Sequence, residues 1–137
     1  MTRTLRTVLF AALAAVALSA CSSGGTEVAA SPPTFDGSHV SASSFAAATE
    51  VEGVTVLDVR TPAEYAEGHL PGAVNIDVED AAFADKIAQL DPAADYAVYC
   101  RSGNRSRVAV EFMTQAGVTH TVGLEGGIGA WKGDIQK

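Results

Sequence analysis

The chain has 137 residues, a formal net charge of −7 and two cysteines, Cys21 and Cys100. Its basic residues form no stripe of the kind that neutralises a phosphate backbone, so nucleic-acid binding is not expected. The acidity is more simply explained by solubility. Once a leader segment is set aside, about a hundred residues remain, which suits one small domain with one hydrophobic core.

The N-terminal residues have the three parts of a signal peptide. Arg3 and Arg6 precede an apolar run over residues 8–18, and small residues follow that run. The run is short for a membrane span. We therefore predict a signal peptide over residues 1–20; the alternatives are an uncleaved anchor, or a cysteine that follows the cleavage site by chance.

The end of this segment, Leu18-Ser19-Ala20-Cys21, resembles the lipobox of bacterial lipoproteins. The resemblance implies that Cys21 is lipidated after cleavage and anchors the protein to a membrane of the cell envelope, facing outside the cytoplasm. Residues 21–35 are rich in Ser, Gly, Ala and Pro and are expected to form a flexible linker. The folded domain is then predicted over residues 36–137.

Extended and helical patterns alternate along this domain. In chain order the predicted elements are a short strand at 39–40, a helix at 43–50 capped by Ser41, a strand at 54–59, a helix from Pro62 to Gly68, a strand at 74–76, a helix at 80–90, a strand at 96–99, a helix ending at Gly117, a strand at 118–122 and a short helix at 126–131. The apolar runs at 54–59 and 96–99 are typical of strands buried on both faces of a parallel sheet. The alternation predicts an α/β fold, with a small parallel-stranded sheet and helices on both faces.

The helices are placed by their caps and their apolar faces. Thr61 and Pro62 provide an N-cap and a first helical residue. The long helix after residue 103 is predicted to bury one face, formed by Val108, Ala109, Phe112, Met113 and Ala116. Phe112 and Trp131 are expected in the core, whereas Glu64, Glu67 and His69 are interpreted as capping and turn residues.

The stretch YCRSGNRS, residues 99–106, lies between a predicted strand and a predicted helix. Ligands of open α/β sheets bind beyond the carboxyl ends of strands, and backbone N–H groups at a helix start can hold an anion. Arg101 and Arg105 would add positive charge and lower the pKa of the Cys100 thiol. The loop therefore predicts an electropositive cup around a nucleophilic thiolate; the alternative is a buried, inert cysteine beside surface arginines.

The cysteines and histidines of the chain argue against a disulfide and against a metal site. If Cys21 is lipidated, Cys100 has no disulfide partner within the chain. The three histidines, His39, His69 and His120, are scattered and no paired-cysteine motif is present, so no metal site is predicted.

The motifs of this domain resemble those of the rhodanese-like (sulfurtransferase) family. The resemblance covers residues 39–131 and is carried by three pieces in order: LDVRTPAEY followed by GHLPGAVNI, the loop CRSGNRS, and VGLEGG with Trp131. It implies a Cys100 persulfide that takes a sulfane sulfur from thiosulfate or a similar small anionic donor and passes it to cyanide or a thiol.

The resemblance also implies roles for the residues around Cys100. The loop residues that would bind the donor and the persulfide are Arg101, Ser102, Gly103, Asn104, Arg105 and Ser106. Asp58 and Arg60 would brace this loop from behind. The implied mechanism needs no cofactor and no general base. A monomer is expected, with a protein acceptor of sulfur as a further candidate partner.

Three different functions could also use a reactive cysteine in such a loop. Cell-cycle dual-specificity phosphatases share the architecture, but their loop between cysteine and arginine is longer than the four residues that separate Cys100 from Arg105 here. A shorter loop favours a sulfur atom over a phosphoryl group. A non-catalytic persulfide carrier would dock its wide-open cup on a partner protein. A thiol redox sensor outside the cytoplasm would use the same low-pKa cysteine.

Overall fold

The computed structural model describes residues 31–137, so the predictions for the signal peptide, for Cys21 and for most of the linker lie outside the described residues. The described chain forms a five-stranded sheet in the order β1-β5-β4-β2-β3. The strands are β1 His39–Val40, β2 Thr55–Asp58, β3 Val74–Asn75, β4 Tyr96–Tyr99 and β5 Thr121–Leu124. Every neighbouring pair is parallel. The predicted α/β fold with a parallel sheet is confirmed.

In the described part of the chain four helices connect the strands, and one short 3-10 turn follows β5. They are α1 Ala42–Thr49, α2 Pro62–Glu67, α3 Phe83–Ile87, α4 Asn104–Gln115 and the turn Gly127–Gly129. Ser41 caps α1, and Thr61 with Glu64 forms a capping box at the start of α2, where Pro62 is the first helical residue. Both helix starts follow the sequence prediction.

The core has two parts, one on each face of the sheet. Because side chains alternate along a strand, Tyr96, Val98 and Cys100 lie on the face that α3 and α4 cover, whereas Ala97 and Tyr99 lie on the face that α1 covers. Helices therefore cover both faces, as predicted.

Two helix predictions need correction. The helix predicted over residues 80–90 is helical only at Phe83–Ile87, because turns occupy the positions on either side. In α4 the buried apolar residues are Ala109, Val110 and Met113, whereas Val108 and Phe112 are 46% and 44% exposed. The prediction that Phe112 is a core residue is therefore wrong.

Phe112 instead packs its ring edge-to-face with Phe83, at the margin of the core. Trp131 is partly buried against the α1 side of the core, with its ring edge-on to Phe45. The last strand begins at Thr121 and not at Val118, because Val118 donates its N–H to Met113 and closes the end of α4.

Phe35, the last residue of the predicted linker, packs against the core on the α1 side. Within residues 31–137, none of the helices combines the length and the apolarity that a membrane crossing requires. The same residues contain no group of three acidic, histidine or cysteine side chains that could hold a metal ion.

Candidate active site

Cys100 follows the last residue of β4, and α4 begins at Asn104. The Cys100 Sγ accepts a hydrogen bond from the Gly103 N–H at 3.1 Å and lies 3.6 Å from the Ser106 Oγ. Burial raises the pKa of the thiol, but hydrogen bonds from the Ser106 hydroxyl and from the N–H groups of Ser106, Ser102 and Gly103 outweigh it, so the pKa lies below its ordinary value. The arrangement stabilises a thiolate.

The loop is less open than the sequence suggested. Cys100 and Ser106 have no exposed surface, whereas Arg101, Ser102 and Asn104 are exposed on its outer side. The expectation of a wide-open cup is wrong because the loop curls over the sulfur. The sulfur is therefore covered in this conformation of the loop.

Two glycines allow the loop to close around the sulfur. Gly103 has a φ of 99°, in the left-handed region that favours glycine, and this conformation turns its N–H towards Cys100. A Cβ on Gly127 would lie 2.4 Å from the Cys100 carbonyl oxygen, so only glycine fits there. The next residue, Ile128, donates its N–H to that oxygen at 2.8 Å. The GLEGG segment thus supports the loop from the β5 side.

The two loop arginines differ in their surroundings. Among residues 31–137 the side chain of Arg101 makes no hydrogen bond, and it is exposed. Arg105 is partly buried, and its two Nη atoms donate to the two carboxylate oxygens of Glu64, both at 2.8 Å. Its Nη1 also donates to Glu79 at 3.2 Å. Arg105 is therefore already paired before any anion arrives.

Glu64 is the site residue that the sequence interpretation missed. Its capping role is confirmed, but the bidentate pair with Arg105 is an additional role. Hydrogen bonding from Arg105 holds the pKa of Glu64 down to about 2. The topology explains the contact: β2 and β4 are neighbours, so the helices that follow them begin side by side. The motif order in the sequence does not contain this information.

Asp58 and Arg60 lie behind the loop in a buried ion pair. The Arg60 Nη2 lies 2.5 Å from Asp58 Oδ2 and also donates to the Gly68 carbonyl at 2.7 Å. The Tyr99 hydroxyl donates to the same Asp58 oxygen at 2.6 Å and accepts the Leu70 N–H. Burial and the Asp58 contact raise the pKa of Tyr99, which therefore stays protonated. The network fixes Tyr99, the residue before Cys100.

A histidine also lies near the sulfur in space, although none lies near it in sequence. His39 Nε2 is 2.9 Å from the Ser106 Oγ, the hydroxyl that contacts Cys100. The two residues are 67 positions apart. The sequence interpretation did not connect His39 with the cysteine loop, because the contact depends on the strand order.

The fold and motifs match known proteins over most of the described chain. A family model for the rhodanese-like domain matches residues 41–134. A sulfurtransferase of Allochromatium vinosum is 35% identical over 82 residues, which are 60% of this chain and 75% of that protein. Thiosulfate sulfurtransferase GlpE of Pseudomonas entomophila is 34% identical over 87 residues, which are 64% of this chain and 78% of that protein.

Solved structures of rhodanese-related proteins share the fold of this chain. A rhodanese-related protein from Thermoplasma volcanium superposes with a TM-score of 0.62 at 34% identity, covering 72% of this chain and 96% of that structure. A rhodanese-like domain protein from Staphylococcus aureus has a TM-score of 0.62 at 28% identity, covering 72% of this chain and 95% of that structure. By its family model, its relatives and its fold, the chain belongs to the rhodanese-like domain family.

Proposed function

We propose that the protein is a sulfurtransferase that moves a sulfane sulfur from thiosulfate, or a similar small anionic donor, to cyanide or a thiol through a Cys100 persulfide. The observation that carries the proposal is the sulfur environment: a buried Cys100 Sγ whose pKa is lowered by the Ser106 hydroxyl and three loop N–H groups. Thiosulfate is the donor of the relatives named thiosulfate sulfurtransferase.

The first half-reaction forms the persulfide. The Cys100 thiolate attacks the outer sulfur of thiosulfate, a bond forms between the two sulfurs, and the sulfur–sulfur bond of the donor breaks. Its electron pair leaves with sulfite. The terminal sulfur of the persulfide is anionic, and the loop N–H groups stabilise that charge as they stabilise the thiolate.

The second half-reaction regenerates the free Cys100 thiolate. Cyanide or a thiolate attacks the outer sulfur, and the Cys100 thiolate leaves with the electron pair of the broken bond. Two displacements with a covalent intermediate predict ping-pong kinetics. Arg101 and Arg105 carry the positive charge that attracts the donor, and the exposed Arg101 has no carboxylate partner among residues 31–137. Neither displacement requires a metal or a cofactor.

The test is thiocyanate production by the full-length protein from thiosulfate and cyanide. Wild type and Cys21→Ser should both produce thiocyanate, and Cys100→Ser should not. Mass spectrometry should find one added sulfur atom on Cys100 after thiosulfate, and its removal by cyanide. Equal activity in Cys100→Ser and wild type would disprove the proposal.

The same protein samples distinguish sulfur transfer from the three competing functions. A persulfide on Cys100 without turnover would identify a carrier that needs a protein partner. Sulfenylation by peroxide with no persulfide from thiosulfate would identify a redox sensor. Hydrolysis of an aryl phosphate would identify a phosphatase. The short loop between Cys100 and Arg105 argues against that last outcome.

We also propose that the protein is a membrane-anchored lipoprotein of the cell envelope, cleaved before Cys21. The support is the lipobox-like LSAC string after a charged and then apolar leader. Cells fed a fatty-acid analogue should label the wild type and a Ser23→Ala control equally, and Cys21→Ser should remain unlabelled. Labelling of Cys21→Ser would disprove the anchor.

A further inference from the structure

A chain of hydrogen-bonding groups connects the buried sulfur to the protein surface. It runs from Cys100 Sγ to Ser106 Oγ over 3.6 Å, and from that oxygen to His39 Nε2 over 2.9 Å. Ser106 is fully buried, whereas His39 is only partly buried. The imidazole borders a surface cleft of about 290 Å³ together with Gly37, Arg107, Val110 and Glu111. A proton on the sulfur thus has a path of two steps to solvent.

The position of the imidazole depends on a neighbouring glycine. His39 on β1 is paired in register with Gly123 on β5. A Cβ on Gly123 would lie 2.3–2.4 Å from atoms of the His39 ring, so the ring occupies the space that a side chain would fill. Gly123 therefore lets the edge strand bring a histidine against the first turn of α4.

The Ser106 hydroxyl has more than one hydrogen-bond acceptor within reach, so it can change partners. Its single hydroxyl proton has the Gly103 carbonyl at 3.0 Å as one acceptor and His39 Nε2 as another. The Gly103 carbonyl also accepts the Arg107 N–H at 3.3 Å and Arg107 Nη1 at 3.4 Å. If the hydroxyl turns away, that carbonyl keeps other donors, so the rotation leaves no buried acceptor unpaired.

Charged groups around His39 come from two elements. Arg107 and Glu111 of α4 border its cleft, and Glu125 follows β5. Burial and the Arg107 charge lower the pKa of His39, and Glu125 opposes them in part. The imidazole is therefore neutral at neutral pH and can accept a proton. Arg105 is the charged group that acts on the sulfur end.

We propose that His39 and Ser106 form a proton relay that removes the thiol proton of Cys100 and delivers it to the surface cleft. The S–H bond breaks, its proton moves to the Ser106 Oγ, and the electron pair stays on the sulfur. The original hydroxyl proton of Ser106 moves to His39 Nε2. The products are a thiolate, an intact hydroxyl and an imidazolium. His39 acts through Ser106 and does not contact the donor; the inference rests on Cys100 being the sulfur nucleophile.

The relay is tested without a donor, by following the rate at which the ultraviolet absorbance of the Cys100 thiolate appears after a rapid rise in pH. Full-length protein with Cys21→Ser leaves Cys100 as its one thiol. In this background His39→Gln keeps a hydrogen-bonding side chain but cannot titrate. Because a positioned general base speeds a proton transfer by about 10²-fold or more, we expect the Cys100 thiolate to appear at least about tenfold more slowly in His39→Gln than in the Cys21→Ser parent.

Two further variants keep the result interpretable. His120→Gln removes an exposed histidine that pairs with Asp95, and its thiolate should form as fast as that of the Cys21→Ser parent. Gly123→Ala displaces the His39 ring without removing it, and its thiolate should form as slowly as that of His39→Gln. Identical rates of thiolate formation in His39→Gln, His120→Gln and the parent would overturn the relay, even if sulfur transfer were slower.

The outcome also separates the relay from the proposed function. Slower thiolate formation in His39→Gln of a protein that makes no thiocyanate would retain the relay and reject sulfur transfer. Normal thiocyanate production with an unchanged rate of thiolate formation would reject the relay and retain the function.

Discussion

Replacing Glu64 with glutamine tests whether the carboxylate that pairs with Arg105 restrains the donor site. Glutamine at this position retains the capping box, because its side chain can still accept from the Thr61 N–H. The substitution therefore removes the negative charge and leaves the helix start intact. Glu67→Gln is the matched control, since Glu67 is exposed, lies in the same helix and loses the same charge.

The stability cost follows from the pKa of Glu64. A fall from 4.5 to about 2 corresponds to an upper limit of about 3 kcal/mol. The side chains of Arg105 and Glu64 are 26% and 24% exposed, and solvent screening reduces the expected contribution to about 1–2 kcal/mol. Because the folded-state pKa is lowered, this stability is present above pH 4.5 and is lost as the pH falls towards 2. Urea unfolding should therefore separate Glu64→Gln from wild type at neutral pH and not at the acid end.

The same substitution lowers stability but should strengthen binding of the donor. Without the Glu64 carboxylate the guanidinium of Arg105 keeps only the single contact with Glu79, so it can meet an anion more readily, and one repelling charge is gone. We expect the KM for thiosulfate to fall by about two- to tenfold, with a smaller fall at high salt. An unchanged or higher KM, with Glu67→Gln behaving identically, would refute the view that Glu64 competes with the donor for Arg105.

Three other substitutions test the supports of the loop and the core. Tyr99→Phe removes a buried hydroxyl from its carboxylate and N–H partners, and urea unfolding should show a loss of about 1–3 kcal/mol. Gly127→Ala places a Cβ 2.4 Å from the loop backbone and should abolish thiocyanate production, whereas Gly72→Ala, at a similar positive φ but with open space, should retain it. Phe83→Ala should cost about 3–5 kcal/mol in urea unfolding and Phe112→Ala under about 1 kcal/mol, because the first is 3% exposed and the second 44%; equal costs would contradict the burial assignment.

The sheet was predictable because its strands carry a strong local signal. Residues 54–59 and Tyr96–Tyr99 are short, mostly apolar runs between turn residues, as buried parallel strands require. The helix face of α4 was harder, because Val108 and Phe112 are apolar yet lie at the margin of the buried stripe. Hydrophobic periodicity locates the apolar face of a helix to within about one residue. Tertiary packing then decides which residues at the margins of that face are buried.

The residues of the candidate site also differ in how well the sequence predicts them. The Cys100 loop is contiguous, so its spacing and small residues could be recognised from the sequence alone. The pairs Glu64–Arg105 and His39–Ser106 join residues that are 41 and 67 positions apart. They follow from the strand order, which no local pattern specifies.

That strand order gives the cysteine loop different neighbours on its two sides. β4 is central, so the loop after it faces β2 and α2 on one side and β5 with β1 on the other. The β2 side carries the charge that pairs with Arg105, whereas the β5 and β1 side carries Gly127, which meets the loop backbone, and His39, which contacts Ser106. Donor attraction and proton removal therefore depend on separate elements. A substitution on one side can alter one property and leave the other unchanged, because the two groups of contacts share only the loop itself.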